Sequence, residues 1–190
     1  MIKSLVAVVA ITFGLVVGAS TAEAQRPRPH GFARSSFEAN KTFGLGLELG
    51  DLFGLTGKVF LAPSHAIDFG VGDLYDGYYV DRGNGGLHVY ADYLWHPFVL
   101  AKTEPFELPF YVGVGGRFWD FDYACDRAGV CSSASLFGVR VPLGITFDFN
   151  NVPLDVFIQV VPTLDFYRNF GGRSAYFDFD FTVGIRYWFL

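Results

Sequence analysis

Apolar and polar residues alternate along the C-terminal part of the chain. From position 177 to 189 every odd residue is Phe, Val, Ile or Tyr, and the even residues include Asp178, Asp180, Thr182, Gly184 and Arg186. Successive side chains of a β-strand point to opposite faces. The pattern therefore predicts a strand with one wholly apolar face and one charged or small face.

The same alternation begins at Phe43 and recurs in segments that turn-forming residues separate. Consecutive strands with such connections pair antiparallel, so we expect an all-β meander. Its predicted strands cover residues 43–50, 54–61, 66–73, 86–95, 109–119, 136–149, 153–167 and 176–189.

Charged residues fall on only one face of these predicted strands. That face could point to water, as in a soluble sandwich, or into a barrel whose apolar face contacts lipid. The alternation alone leaves both arrangements open. The charged positions are Glu48, Lys58, Asp68, Asp92, Arg117, Arg140, Asp148, Asp155, Asp165, Asp178, Asp180 and Arg186.

Aromatic residues and connection lengths favour the membrane. Aromatics recur at both ends of the apolar face, where outer-membrane barrels carry their aromatic girdles. Tight turns at 62–65 and 150–152 also alternate with long loops at 74–85 and 120–135, although 96–108 is a long exception on the turn side. We therefore predict an eight-stranded antiparallel transmembrane β-barrel of up-and-down topology. The two girdles would comprise Trp95, Phe110, Phe149 and Phe189 at one rim, and Phe118, Phe137, Phe166 and Phe177 at the other.

The N-terminal residues have the pattern of an export signal. Lys3 precedes an apolar stretch, and a small-x-small cleavage site at 22–24 follows it. We expect a signal peptide over 1–24, a flexible Pro- and Arg-rich lead over 25–41, and the barrel over 42–190. An uncleaved membrane anchor is the alternative. The net charge of −5 argues against a nucleic-acid partner.

The inward charges are the main candidate site. Buried charges must be paired, so we interpret them as a salt-bridge network that plugs the barrel. In that network we expect Glu48 to lie opposite Lys58 across a hairpin centred near residue 53. The alternative is a gated path, which would make the protein a narrow ion or solute channel. The predicted network comprises Glu48, Lys58, Asp68, Asp92, Arg117, Arg140, Asp155, Asp178, Asp180 and Arg186.

The only two cysteines are Cys125 and Cys131. An exported chain enters an oxidising compartment, so we predict a disulfide between them in the third external loop. A pair of free thiols is the alternative. Two cysteines alone do not provide a metal site.

Few residues of the chain are arranged in a pattern that predicts catalysis. A lipid-A-modifying hydrolase would need a serine beside a histidine that an acid orients. His88 faces the interior near the outer rim, with Asp92 on the same face, but no serine lies beside it. We therefore expect no enzyme, no catalytic residue, no metal and no cofactor, and we keep the lipid-modifying hydrolase as the least favoured alternative.

Loop aromatics are a candidate contact surface. Tyr75, Tyr78 and Tyr79 could bind a partner, since aromatic side chains are frequent in interfaces. Alternatively, they could extend the aromatic girdle. We expect any extracellular protein or surface ligand to bind through the loops 74–85 and 120–135.

Several stretches carry a family resemblance. They are GLGLELGDLFGLTGKVFLAPSHAIDFGVGD (44–73), HVYADYLWH (88–96), LPFYVGVGGRF (108–118), GVRVPLGITFDFNNVPLDVFIQVVPTLDF (138–166) and GIRYWF (184–189). Together they resemble a family of small bacterial outer-membrane β-barrel proteins, similar to the OmpA membrane domain and OmpX. The resemblance implies a barrel in the outer membrane, in contact with its lipid and assembled by the barrel-assembly machinery. It implies no activity. We expect a monomer.

Overall fold

A computed structural model describes residues 36–50, 52–74, 86–125, 131–169 and 172–189. These residues form nine antiparallel β-strands in one sheet. The strands are β1 (Phe43–Gly50), β2 (Leu52–Ala62), β3 (His65–Leu74), β4 (Gly86–Lys102), β5 (Phe106–Cys125), β6 (Cys131–Arg140), β7 (Leu143–Phe149), β8 (Leu154–Asn169) and β9 (Gly172–Trp188).

The sheet closes into a ring. β1 pairs with β9, in a register that sets Gly44 opposite Trp188 and Gly50 opposite Thr182. β6 and β7 follow one another along a single position of the wall, since both pair with β5 on one side and β8 on the other. The wall therefore has eight positions, and the predicted eight-stranded antiparallel barrel is confirmed.

A proline interrupts the sixth position of the wall. The alternation predicts one strand over 136–149, whereas β6 ends at Arg140 and β7 begins at Leu143. Pro142 has no N–H to donate, so it breaks a ladder of hydrogen bonds. The neighbours still hold the segment, because Val141 donates to Pro162 O at 3.0 Å and Gly113 donates to Pro142 O at 2.9 Å.

The two ends of the barrel differ in their connections. We call the end where β1 begins and β9 ends the terminal rim, and it carries the turns at 63–64, 103–105 and 150–153. The opposite end is the loop rim, where the connections include 75–85, 126–130 and 170–171, outside the described residues.

Two predicted connections are shorter in the structure. β4 and β5 continue past the expected boundaries, so only residues 103–105 separate them where the sequence predicts a connection over 96–108. The predicted loop 120–135 is also largely strand, because β5 runs to Cys125 and β6 starts at Cys131.

The two faces of the wall have opposite chemistry. Large apolar side chains cover the exterior and stay exposed, up to 63 % for Phe53 and Phe137. The interior holds most of the buried charged side chains together with a few apolar ones such as Leu94 and Tyr111. Across the part of the chain that the structure describes, no helix is long and apolar enough to cross a membrane.

Candidate functional site

The barrel interior contains nearly all of the charged residues that the sequence predicts there. Nine of the ten predicted members are at most 5 % exposed; the exception is Asp178. Asp178 lies half-buried on β9, where its Oδ1 accepts the backbone N–H of Phe179 at 2.8 Å. It makes no ion pair with the described residues. Asp165 is buried instead and takes part in the network.

Arg117 is the centre of the cluster nearest the loop rim. From β5 its Nε donates to Asp165 Oδ1 on β8 at 2.8 Å, and Nη1 donates to Asp180 Oδ2 on β9 at 2.6 Å. Nη2 donates to Asp165 Oδ2 and also to Thr163 Oγ1, at 3.1 Å for the latter. Because β5 and β9 are not neighbours, this cluster crosses the bore. We call it the Arg117 cluster.

A second group of contacts surrounds Tyr90 at mid-height. The guanidinium carbon of Arg140 lies 3.8 Å from the centre of the Tyr90 ring, and its Nε lies 3.1 Å from Asp92 Oδ2. The Tyr90 hydroxyl donates to Glu48 Oε2 at 2.8 Å and lies 3.3 Å from Thr56 Oγ1. The tyrosine therefore joins β1, β2 and β4 through the interior.

Arg186 is the centre of the cluster nearer the terminal rim. From β9 its Nη1 donates to Asp68 Oδ1 on β3 at 2.7 Å, and Nε donates to Asp155 Oδ1 on β8 at 3.1 Å. Its guanidinium carbon lies 4.1 Å from the centre of the Phe157 ring. Trp188 Nε1 donates to the other oxygen of Asp155 at 3.1 Å. We call these contacts the Arg186 cluster.

Lys58 lies in an aromatic surrounding with a histidine partner. Its Nζ is 2.9 Å from His96 Nε2, and 4.9 Å and 5.1 Å from the ring centres of Tyr111 and Phe60. Asp68 is opposite Lys58 in the β2–β3 register.

The predicted Glu48–Lys58 pair is wrong. Glu48 lies opposite Gly54, and Lys58 lies opposite Gly44. The β1–β2 register is centred on position 51 rather than 53, so each residue lies opposite a partner four positions from the expected one.

His88 is buried among aromatic side chains. Its ring is 1 % exposed, and neither ring nitrogen has a hydrogen-bond partner in the described structure. Its neighbours are aromatic: the centres of Tyr90 and Trp119 lie 6.2 Å and 6.4 Å away. Asp92 pairs with Arg140 instead. Within the described ranges, no three His, Cys, Asp or Glu residues are arranged to hold a metal ion.

The predicted loop residues lie largely outside the described structure. Tyr75, Tyr78 and Tyr79 fall in the segment 75–85. The backbone sets Cys125 opposite Cys131 across the β5–β6 hairpin, but their side chains are also outside the described part. The disulfide therefore stays a prediction.

Sequence reasoning missed three partners in the interior. Tyr90, His96 and Gln159 all point inward, and the Gln159 carbonyl accepts the Tyr111 hydroxyl at 3.0 Å. Tyr90 and Gln159 lie at inward positions of the predicted strands, whereas His96 falls one residue beyond the predicted strand 86–95. A search restricted to charged side chains passes over such polar residues.

No family model matches the chain, and no curated protein matches it. Among solved structures the chain is similar to the N-terminal β-barrel domain of Pseudomonas aeruginosa OprF, at 15 % identity and a TM-score of 0.49, over 77 % of this chain and 95 % of that one. It is similar to a major outer membrane protein from Thermus thermophilus, at 16 % identity and a TM-score of 0.39, over 78 % and 100 % of the two chains. It is also similar to Ail, the attachment invasion locus protein of Yersinia pestis, at 14 % identity and a TM-score of 0.34, over 78 % and 97 %. The assignment of the fold rests on the strand pairing described above.

Proposed function

We propose that this chain is an integral outer-membrane β-barrel with a closed interior, and that its role is structural or at the cell surface. The observation that carries the proposal is the pair of arginine clusters. Arg117 joins β5 to β9, and Arg186 joins β9 to β3, so ion pairs cross the bore at two levels. An eight-stranded barrel has an interior just wide enough for side chains to fill.

The exterior supports a membrane location. Contiguous exposed apolar surfaces of this extent are rare on soluble monomers and are typical of surfaces that contact lipid or protein. A closed sheet also leaves no unpaired backbone edge in hydrocarbon. With the expected export signal, these features favour the bacterial outer membrane, where barrels of this kind occur.

A surface role would belong to the loop rim. The β5–β6 hairpin extends there, and Ser135 Oγ donates to Asp120 Oδ1 at 3.0 Å near its base. We propose that this hairpin and the segment 74–85 contact an extracellular protein or surface ligand. Neither a catalytic residue nor a cofactor is part of the proposal, and the protein acts as a monomer.

A narrow channel is the second candidate, and buried polar atoms favour it. Glu48 Oε1, Thr146 Oγ1 and Gln159 Nε2 have no hydrogen-bond partner in the described structure. Buried polar atoms of this kind commonly bind water. A continuous file of water would conduct ions, whereas isolated waters between the arginine clusters would not.

Conductance in planar lipid bilayers separates the two candidates. We expect purified protein to insert without raising conductance above that of protein-free bilayers. Regular unitary steps from the unmodified protein would refute the closed interior. Extraction of membranes with alkaline carbonate tests the membrane location. Mass analysis of lipid A from cells with and without the protein tests the hydrolase alternative. A pull-down with and without the external loops tests the surface role.

A further inference from the structure

Residues 36–41 do not behave as the free end of a flexible lead. They lie across the terminal rim and contact it at several points, although the sequence predicts a lead without structure up to residue 41. Ala39 donates its backbone N–H to Pro63 O at 2.8 Å, in the turn between β2 and β3. We call residues 36–41 the strap.

Phe37 anchors the strap in the mouth of the barrel. Its side chain is only 3 % exposed. It stacks on His96, with ring centres 5.1 Å apart, and contacts Phe60 at 5.8 Å. Phe60 in turn stacks on Trp188 at 5.6 Å. Phe37 is therefore part of an aromatic cluster that fills the bore at the terminal rim.

Lys41 fixes the other end of the strap. Its Nζ binds the carboxylate of Asp148 and donates to Phe149 O at 3.0 Å, both on β7. β7 and β1 are separated by β8 and β9 in the ring. The strap and its lysine thus reach across the mouth rather than along one side of it.

Ser36 covers an open strand edge. β3 pairs with β4 only as far as Trp95, but β4 continues to Lys102. Pro97 O accepts the backbone N–H of Ser36 at 3.3 Å, and Ser36 Oγ accepts the N–H of Val99 at 3.0 Å. An unpaired edge of this kind is a liability that proteins commonly cover.

We propose that the strap seals the terminal mouth and is a second barrier, in series with the arginine clusters. Solutes that approach from the terminal rim then enter the barrel only when Phe37 leaves its aromatic contacts. The seal meets the Arg186 cluster at Trp188, which stacks on Phe60 and donates to Asp155, but the strap itself binds elsewhere. The ion pairs of Arg117 and Arg186 described above are made with Asp165, Asp180, Asp68 and Asp155, whereas Lys41 of the strap pairs with Asp148.

Thiol labelling tests the seal directly. Thr146 faces inward on β7, two residues from Asp148, and is 3 % exposed. Thr146→Cys, in a background where both native cysteines are serine, reports access to the space beneath the strap. A small charged methanethiosulfonate is the probe, applied to folded protein in detergent. We expect Phe37→Ala to raise the labelling rate about ten- to hundredfold, as expected for losing the burial of one phenylalanine.

Thr163→Cys is the matched control for position. Thr163 is 1 % exposed and accepts a hydrogen bond from Arg117, so it lies in the Arg117 cluster near the loop rim. Its labelling rate should not change with Phe37→Ala. Phe53→Ala, which truncates an exposed phenylalanine on the exterior of β2, should change neither rate.

Two results would overturn the proposal. An unchanged rate at Thr146→Cys after Phe37→Ala would show that the strap is no seal. An equal increase at both cysteines would show that the two barriers are not in series. If Phe37→Ala does not fold, Lys41→Gln provides the same comparison, because it releases the strap from β7 and keeps the phenylalanine. No increase at Thr146→Cys in that variant would also refute the seal.

Discussion

Arg186→Met removes the cation that joins three strands inside the barrel. Methionine keeps most of the side-chain length and the apolar contact with Phe157, but it has no hydrogen-bond donor. Asp68 and Asp155 would then remain buried, each 1 % exposed, without the guanidinium that neutralises them. Asp155 would keep one donor, the indole N–H of Trp188 at 3.1 Å.

The size of the effect follows from these contacts. Breaking a buried ion pair by removing one partner costs about 3–5 kcal/mol, because it leaves an uncompensated charge. Here one substitution leaves two carboxylates, so we expect a loss near the upper end of that range. Replacing all three charges by apolar residues of similar size is often neutral or stabilising. Asp68→Leu and Asp155→Leu added to Arg186→Met should therefore recover most of the stability.

Urea unfolding of the protein in lipid vesicles measures these differences. The control is Lys102→Met, which removes a side chain that is 73 % exposed and pairs with Glu107 outside the bore. Exposed ion pairs contribute about 0–1 kcal/mol, so this variant should unfold almost like the unmodified protein. A loss below about 1 kcal/mol for Arg186→Met would contradict the account of a plugged, ion-paired interior. So would a triple variant no more stable than the single one.

Three further predictions concern other parts of the barrel. Ile185→Arg places a charge on the exterior of β9 and should cost about 2–4 kcal/mol if it lies near the bilayer midplane, whereas Ile185→Ala should cost less; unchanged folding in lipid would mean that the exterior assignment is wrong. A double-mutant cycle on Glu48→Gln and Lys58→Met should show coupling below about 0.5 kcal/mol, because the two residues have different partners; strong coupling would restore the predicted pair. Non-reducing mass spectrometry of exported protein should show the Cys125–Cys131 disulfide, and alkylation of both thiols without reductant would exclude it.

The periodicity of the sequence predicted which face of the wall each side chain occupies, because a strand has only two faces. Any error that shifts a register by an even number of residues leaves every side chain on its correct face. This is what happened at the β1–β2 hairpin. Glu48 and Lys58 are both buried as predicted, although neither meets the partner that the sequence suggested.

The alternation could not predict the strand registers or the contacts across the bore, for a physical reason. A hairpin register depends on the geometry of its turn, and Gly50, with φ of 150°, already belongs to that turn region. The Arg117 and Arg186 contacts depend on how every strand tilts around the ring. The interruption at Pro142 was accessible in principle, since a proline inside a predicted central strand signals a break. The strap could not be predicted from the sequence, because residues 36–41 show no periodicity.

The seam between β1 and β9 determines how the barrel can form. Almost the whole described chain separates these two strands, so their pairing has the highest contact order in the fold and carries the largest loop-closure entropy. Until that last pairing forms, two strand edges and the apolar exterior are exposed together, which is the state most prone to aggregation. Folding should therefore be all-or-none with respect to β9. A nascent chain that lacks it cannot close, and its survival depends on protection from other chains during transit.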